Sequence, residues 1–360
     1  MPKSCYIHIP FCSGKCKYCS FISFNKTELI PQYISALSCE IQKYYGNENL
    51  KTLYFGGGTP SVLPIKYISQ IINLLNIDNN TEITFELNPE NGSEEYLKKL
   101  KELGITRLSI GSQTFNDKIL KLIGRRHNSK KIKETVINAK NAGFENISLD
   151  LIYGLPTQTR DDIKRDIELI NDLNIQHIST YGLKIEKESF WGKNSPKNIP
   201  DEDTQADMYE DINKLLYDYG FYRYEVSNFA KKGYESRHNL VYWNNSEYYG
   251  FGLAAHGYKD KVRYSNPITL NEYFANPLKR KNEKKLTEQD IIEEEIFLGF
   301  RKAEGIDIRE FKEKFNIDFE QKYGEILNKY ADFIIKTKKG YAFNLKGTML
   351  SNEILPEFLG

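Results

Sequence analysis

Chemistry is concentrated close behind the first residue, in Cys12-Ser-Gly-Lys-Cys16-Lys-Tyr-Cys19. Three thiolates spaced this way on a short loop suit three corners of a four-iron, four-sulfur (4Fe-4S) cube, because thiolate is the usual protein ligand of such clusters. Three ligands leave one iron free to bind a substrate or cofactor. A structural zinc site asks for four ligands, usually two cysteine pairs, and the remaining Cys5 and Cys39 stand alone. His8 could complete a Cys3His zinc set, but the alternation in Cys5-Tyr6-Ile7-His8-Ile9 reads more simply as a strand. Five cysteines, an odd number, and the absence of a signal peptide argue against a disulfide framework. Cys5 and Cys39 read as buried small hydrophobes.

Further along, Gly56-Gly57-Gly58-Thr59-Pro60 gives a backbone that can approach a ligand closely and offer its N–H and C=O groups. Arg125 can pair a ligand carboxylate in bidentate fashion, with neighbouring Arg126 a one-residue alternative. Glu86 and Asp150 are carboxylates that can accept hydrogen bonds. Each alone would read as a solvated charge or a strand-end polar residue. Their joint spacing carries the argument.

That spacing follows the elements that must position them. Strands Cys5 to Ile9, Leu50 to Phe55, Glu82 to Leu87, Arg107 to Ile110, Ile147 to Ile152 and His177 to Leu183 alternate with helical patterns such as Glu28 to Tyr45, Glu94 to Leu103 and Arg160 to Leu173. Such alternation means βαβ units and a parallel sheet. The cysteine loop follows strand one and the glycine run strand two. Glu86 ends strand three, Gln113 follows strand four and Asp150 lies in strand five. Loops at the C-terminal ends of strands are where such folds keep their chemistry, so these residues are expected to share one site. Beyond residue 200 we expect a helix over Thr204 to Tyr219 and a strand over Tyr222 to Val226. Little periodicity follows over residues 230 to 265. Short helices (Gln289 to Phe300, Ile308 to Phe315, Phe319 to Tyr330) and a hairpin through Tyr341 to Leu350 suggest a small winged-helix-like C-terminal domain. The expected divisions are 1–230, 231–285 and 286–360.

With 50 basic and 49 acidic residues the chain lacks the charge excess of a nucleic-acid enzyme. No apolar run reaches transmembrane length. The expectation is a cytoplasmic protein with no transmembrane segment and no nucleic-acid partner, leaving room for peripheral membrane contact.

The cysteine string with Tyr18 beside its last member resembles the signature of the radical S-adenosylmethionine (SAM) enzymes. The wider Tyr6-Ile-His-Ile-Pro-Phe-Cys12 narrows the resemblance to the oxygen-independent coproporphyrinogen III oxidase-like family, which includes the HemW-type heme chaperones. That resemblance implies an open α/β partial (β/α)6 barrel, a 4Fe-4S cluster on Cys12, Cys16 and Cys19, and SAM held by Tyr6, Gly57, Gly58, Thr59, Glu86, Gln113, Arg125 and Asp150. It also implies an electron donor and reductive cleavage of SAM to methionine and a 5′-deoxyadenosyl radical. The oxidases carry a further cysteine where this chain has Phe21, and an extension ahead of the cysteines, which here lie almost at the start. His238-Asn239-Leu240-Val241-Tyr242-Trp243 resembles the HNxxYW motif associated with heme in HemW-type proteins. An imidazole can ligate heme iron, and flanking aromatics can pack on a porphyrin. The expectation is therefore a heme chaperone serving heme-receiving apo-proteins, with coproporphyrinogen III oxidase as the alternative. His238 is the expected heme ligand and His256 a second candidate. His8, His127 and His177 are read as structural.

Overall fold

The computed structural model describes residues 1–359. Six parallel strands run in sequence order through its centre: β1 (Ser4–Ile9), β2 (Thr52–Gly57), β3 (Glu82–Leu87), β4 (Arg107–Gln113), β5 (Asn146–Tyr153) and β6 (His177–Gly182). Parallel neighbours require crossovers, and helices such as Ile30–Tyr44, Glu94–Glu102 and Arg160–Asp172 supply them. One face of the sheet packs against these helices, so Ile7, Phe55, Phe85, Leu108, Leu149 and Ile178, which share it, are fully buried.

Two short antiparallel strands, β7 (Tyr222–Arg223) and β8 (Asn228–Ala230), extend the sheet beyond β6. The single strand expected over Tyr222 to Val226 is interrupted because the buried Glu225 carboxylate turns back to accept from Ser227 N (3.1 Å) and from the Asn228 amide. At the other edge β9 (Tyr249–Phe251) lies parallel to β1. Three residues carry no readable period, and β9 forms because Gly250 lets the His256 backbone cross over it. Among the described residues no pairing joins β7 to β9, so the sheet is open.

The helix Ile30–Tyr44 corrects one expectation. Its inward stripe is Ile30, Tyr33, Ile34, Leu37, Glu40 and Ile41. Cys39 falls off that stripe and is exposed, whereas Cys5 is buried. Glu40 takes an interior place because Tyr273 Oη (2.6 Å), Asn266 Nδ2 (2.6 Å) and Gly252 N (2.9 Å) all donate to it. A buried carboxyl is tolerable only with such donors. Burial pushes it up to about 7.

The stretch 231–285 is folded: a short helix Arg237–Trp243, then an antiparallel sheet of β10 (His256–Lys259), β11 (Val262–Ser265) and β12 (Lys281–Lys285). Beyond it, helices Glu288–Gly299, Ile308–Phe315 and Phe319–Lys329 pack with β13 (Ile306–Asp307), β14 (Ile334–Lys336) and β15 (Gly340–Phe343). They enclose a second core around Phe300, Phe311, Phe319 and Phe358. The hairpin is β14–β15, upstream of the expected Tyr341 to Leu350. Asn344 Oδ1 accepts from Gly347 N (2.9 Å) and starts a helix there instead. Tyr248, Tyr258, Leu286 and Ile291 fill the seam between the two parts, with Tyr242 packed against them. No helix among the described residues is long and apolar enough to cross a membrane.

Candidate functional site

One cavity of about 530 Å³ opens at the C-terminal ends of the parallel strands. Cys12, Cys16, Cys19, Gly57, Gly58, Thr59, Glu86, Gln113, Arg125 and Asp150 all line it. Residues up to 138 positions apart in the chain are thus brought together by β1 to β5 and the loops that leave them.

The cysteine loop is anchored at several points along its length. Cys12 N donates to Phe24 O (3.1 Å) and Phe24 N to Pro10 O (2.8 Å), closing the loop's base. Lys17 N donates to Ile123 O (3.0 Å), and Trp191 N to Lys17 O (3.0 Å). The Trp191 ring is buried beside Tyr18, with ring centroids 6.5 Å apart.

Side chains then join the cysteines to one another. Arg125 Nη1 approaches Cys16 Sγ (3.5 Å), while Nη2 donates to Gly111 O (2.7 Å) and to Asn88 Oδ1 (2.8 Å). Asn88 Nδ2 donates to Thr59 Oγ1 (3.2 Å), which stands 3.2 Å from Cys12 Sγ. A continuous chain of contacts therefore runs from Cys16 through Arg125, Asn88 and Thr59 to Cys12. Asn88 was not singled out from sequence. Its only signal there is its place just after β3. Of the two adjacent arginines Arg125 lines the cavity, whereas Arg126 is exposed and donates to Ser13 O (3.2 Å).

The glycines are there for space. Gly57 has φ +110°, and a β-carbon on it would come within 2.6 Å of the His8 ring. One on Gly58 would come within 2.7 Å of Phe11 O. The sheet is irregular between Gly111 and Gln113, and Gln113 adopts φ 66°, a costly left-handed conformation for a non-glycine residue. Strain of this kind persists where the surroundings enforce it, and here it turns Gln113 toward the cavity.

The carboxyls lie deeper. Glu86 accepts from Tyr54 Oη (2.9 Å) and Gly57 N (3.2 Å), and Asp150 from Ser109 Oγ (3.0 Å). Burial, reinforced by Asp150, pushes Glu86 up to about 8, and burial also raises Asp150. Below them Arg107 is 1% exposed, donates to His177 Nδ1 (3.0 Å), and keeps an unpartnered Nε. Because the ordinary value for Glu86 is 4.5, the unfolded chain ionises it above that pH while the folded chain keeps its proton to about 8. Ligand-free stability should therefore fall as pH rises through this window. Glu86→Gln should reduce the slope of unfolding free energy against pH between 5 and 8 by one proton, about 1.4 kcal/mol per pH unit. An unchanged slope in denaturant titrations would mean that Glu86 is ionised in the folded protein.

Two expected site residues lie elsewhere. Tyr6 stands behind the cavity, hydrogen-bonded to His8 Nδ1 (3.1 Å) and stacked on Tyr54. His8 Nε2 reaches Ile22 O (3.3 Å), tying β1 to the returning cysteine loop. With both nitrogens engaged, His8 is not free to complete a zinc set. Among the described residues no three His, Cys, Asp or Glu side chains are gathered to hold a single metal ion. The donors present fit a polynuclear cluster on three thiolates beside a zwitterionic ligand.

His238 differs most from expectation. It is 1% exposed, beneath the N-terminal ends of the strands. Its Nδ1 is 2.8 Å from Thr52 Oγ1, its Nε2 is 2.9 Å from Tyr242 Oη, and its backbone N donates to Glu82 Oε1 (2.9 Å). In this arrangement neither ring nitrogen is offered to an iron. Ser236 caps the helix Arg237–Trp243, and the distant Thr52 and Glu82 hold His238 inward. His256, the second candidate, is exposed at the start of β10.

Residues 6–170 match the Radical SAM superfamily model and residues 286–334 the HemN C-terminal domain model. The coproporphyrinogen III oxidase HemN from Escherichia coli superposes with a TM-score of 0.86 over 99% of this chain and 90% of that one. At 24% identity that likeness speaks for the fold. The heme chaperone HemW of Lactococcus lactis is 40% identical over 99% of this chain and 97% of its own. That of Bacillus subtilis is 36% identical over 99% of both. The chain belongs to the radical SAM superfamily, in the HemW-type branch of the coproporphyrinogen III oxidase-like family. Membership implies a 4Fe-4S cluster and SAM as its cofactors.

Proposed function

We propose that this protein is a heme chaperone: it binds a 4Fe-4S cluster on Cys12, Cys16 and Cys19, SAM beside it, and heme, and hands the heme to apo-proteins in the cytoplasm. The observation that carries the reading is the cavity in which three thiols, Arg125 and the Gly57–Thr59 backbone face one another. What the bound cluster supplies is one-electron chemistry at the SAM sulfonium, which requires an external electron donor. The chain's own part is to bind, orient and exclude side reactions. Arg125 is suited to the methionyl carboxylate and Glu86 and Asp150 to the ribose hydroxyls. Full-length likeness to proteins called heme chaperones supports the choice over the oxidase. So does Phe21, which lines the same cavity, is 66% exposed, and offers an apolar ring where the oxidases have a thiol.

The test is a pair of assays on anaerobically reconstituted protein. Heme titration followed by visible absorbance should saturate at a defined stoichiometry. Coproporphyrinogen III, incubated with SAM and a reductant, should be recovered without decarboxylation. Formation of protoporphyrinogen IX would establish the oxidase instead.

A further inference from the structure

On its outer side the cysteine loop meets two other segments, the turn 121–126 and the short helix Phe190–Lys193. Lys17 N donates to Ile123 O (3.0 Å) and Trp191 N to Lys17 O (3.0 Å), while Arg126 Nη1 donates to Ser13 O (3.2 Å). Both segments are thereby seated against residues 13–18. The packing is close, since a β-carbon on Gly124 would lie 3.8 Å from Cys16 Cα. Gly124 and Gly14 are both exposed. Neither has a side chain, so the surface beside Cys16 is bare backbone.

Charge is distributed unevenly around that spot. Residues 13–18, 121–126 and 189–194 carry Lys15, Lys17, Lys121, Arg125, Arg126 and Lys193, and no carboxylate. Arg125 turns into the cavity. Of the other five, Lys15, Lys121, Arg126 and Lys193 are exposed and Lys17 is half-buried. Among the described residues none of the five has an ion-pair partner. The carboxylates next to these segments are engaged elsewhere or stand in solvent: Asp117 accepts from Ser129 N (2.7 Å), Glu186 pairs Lys184 (2.8 Å), and Glu188 is exposed. The whole chain has 50 basic and 49 acidic residues, so the excess belongs to this face. Leu122 and Phe190, 38% and 53% exposed, add apolar contact within it. A face of one sign steers a partner of the opposite sign and fixes its orientation. Electron tunnelling weakens exponentially with distance, so a donor gains most by seating where the covering is thinnest. Redox encounters of this kind are small and transient, below about 1,200 Å² of buried surface.

We propose that a small acidic protein carrying one electron docks on this face, centred on Gly14 and Gly124, and delivers its electron by way of Cys16. The inference rests on the cluster assignment made above and gives its electron donor a place and a charge. The reduced carrier gives up one electron and the cluster on the three thiolates takes up one. No covalent bond forms or breaks.

The experiment mixes full-length, cluster-loaded protein without oxygen with reduced flavodoxin or reduced ferredoxin, two acidic one-electron carriers. Freeze-quench EPR of the reduced cluster gives the rate, and reduced methyl viologen, a small cation, is the reference reductant. The triple variant Lys121→Glu, Arg126→Glu, Lys193→Glu should be reduced by both carriers roughly tenfold or more slowly at low salt. The deficit should shrink at high salt, where exposed charges are screened. Iron content, SAM affinity and the methyl viologen rate should stay at wild-type values. Alanine at the same three positions should give an intermediate rate. An equal change of charge on the C-terminal part, Lys322→Glu, Lys338→Glu, Lys346→Glu, should leave the carrier rates near wild type. Wild-type carrier rates in the first variant, or an equal loss in the C-terminal one, would overturn the docking face and leave the cluster assignment standing. So would a wild type that methyl viologen reduces and neither carrier does. Binding to anionic lipid vesicles that the first variant loses, with carrier rates unchanged, would assign the face to a membrane surface instead. Absence of a cluster from the reconstituted wild type would remove the cluster assignment and this inference together.

Discussion

Replacing Cys16 by serine is expected to reduce iron and sulfide in anaerobically reconstituted protein to background, whereas Cys39→Ser should retain the wild-type content of both. Cys12, Cys16 and Cys19 all face the cavity, while Cys5 is buried in the sheet and Cys39 is exposed on the helix Ile30–Tyr44. No spare thiol stands ready to substitute, and a serine hydroxyl is a poor ligand for iron that prefers soft thiolate. Cys16 has a second role, since its sulfur accepts from Arg125. The measurement is metal and acid-labile sulfide analysis of protein handled without oxygen. Stoichiometric zinc in place of iron in the wild type would overturn the cluster assignment, and so would an unchanged iron content in Cys16→Ser.

Arg125→Ala should weaken SAM binding by roughly ten- to a hundredfold, the equivalent of losing about 1.5–3 kcal/mol from hydrogen bonds to a charged group. Arg126→Ala should leave SAM affinity near that of the wild type. The two arginines are adjacent, yet only Arg125 turns into the cavity, where Gly111 O and Asn88 Oδ1 hold its guanidinium. Removing it also breaks the contacts from Cys16 to Asn88, so the Arg125→Ala cluster should retain its iron but bleach faster in air. Asn88→Ala, which cuts the same chain on the Thr59 side, should reproduce the faster bleaching with a smaller loss of SAM affinity. Equilibrium binding of SAM to reconstituted variants, with the cluster's EPR signal as a second readout, distinguishes these cases. Equal affinities in Arg125→Ala and Arg126→Ala would exclude the guanidinium from the site.

Much of this site was open to reading along the chain because its chemistry is local in sequence. Three cysteines on one loop and a run of three glycines at a strand end are patterns local to a strand leading into a turn, while the family resemblance picked out the single polar residues at strand ends. The order of β1 to β6 could be read for the same reason: each helix–strand alternation permits only a parallel neighbour. Tertiary structure decided whatever depends on contacts between distant segments. Asn88 matters because Thr59 and Arg125 reach it from either side, and Arg107 because its long side chain ends beneath Glu86 and Asp150. Cys39, expected inside, is exposed, and its neighbour Glu40 is buried because Tyr273 and Asn266, more than 200 residues away, supply the donors that let a carboxyl go inside. His238 is the clearest instance. Read along the chain it is an imidazole beside two aromatics, a plausible iron ligand. In the folded protein Thr52 and Glu82 draw it under the sheet, and its neighbour Asn239 is left facing the cavity that the cysteines line. Residue type and spacing define which side chains can do chemistry, but which of them reaches a ligand depends on the hydrogen-bond partners that only the packed sheet brings within range.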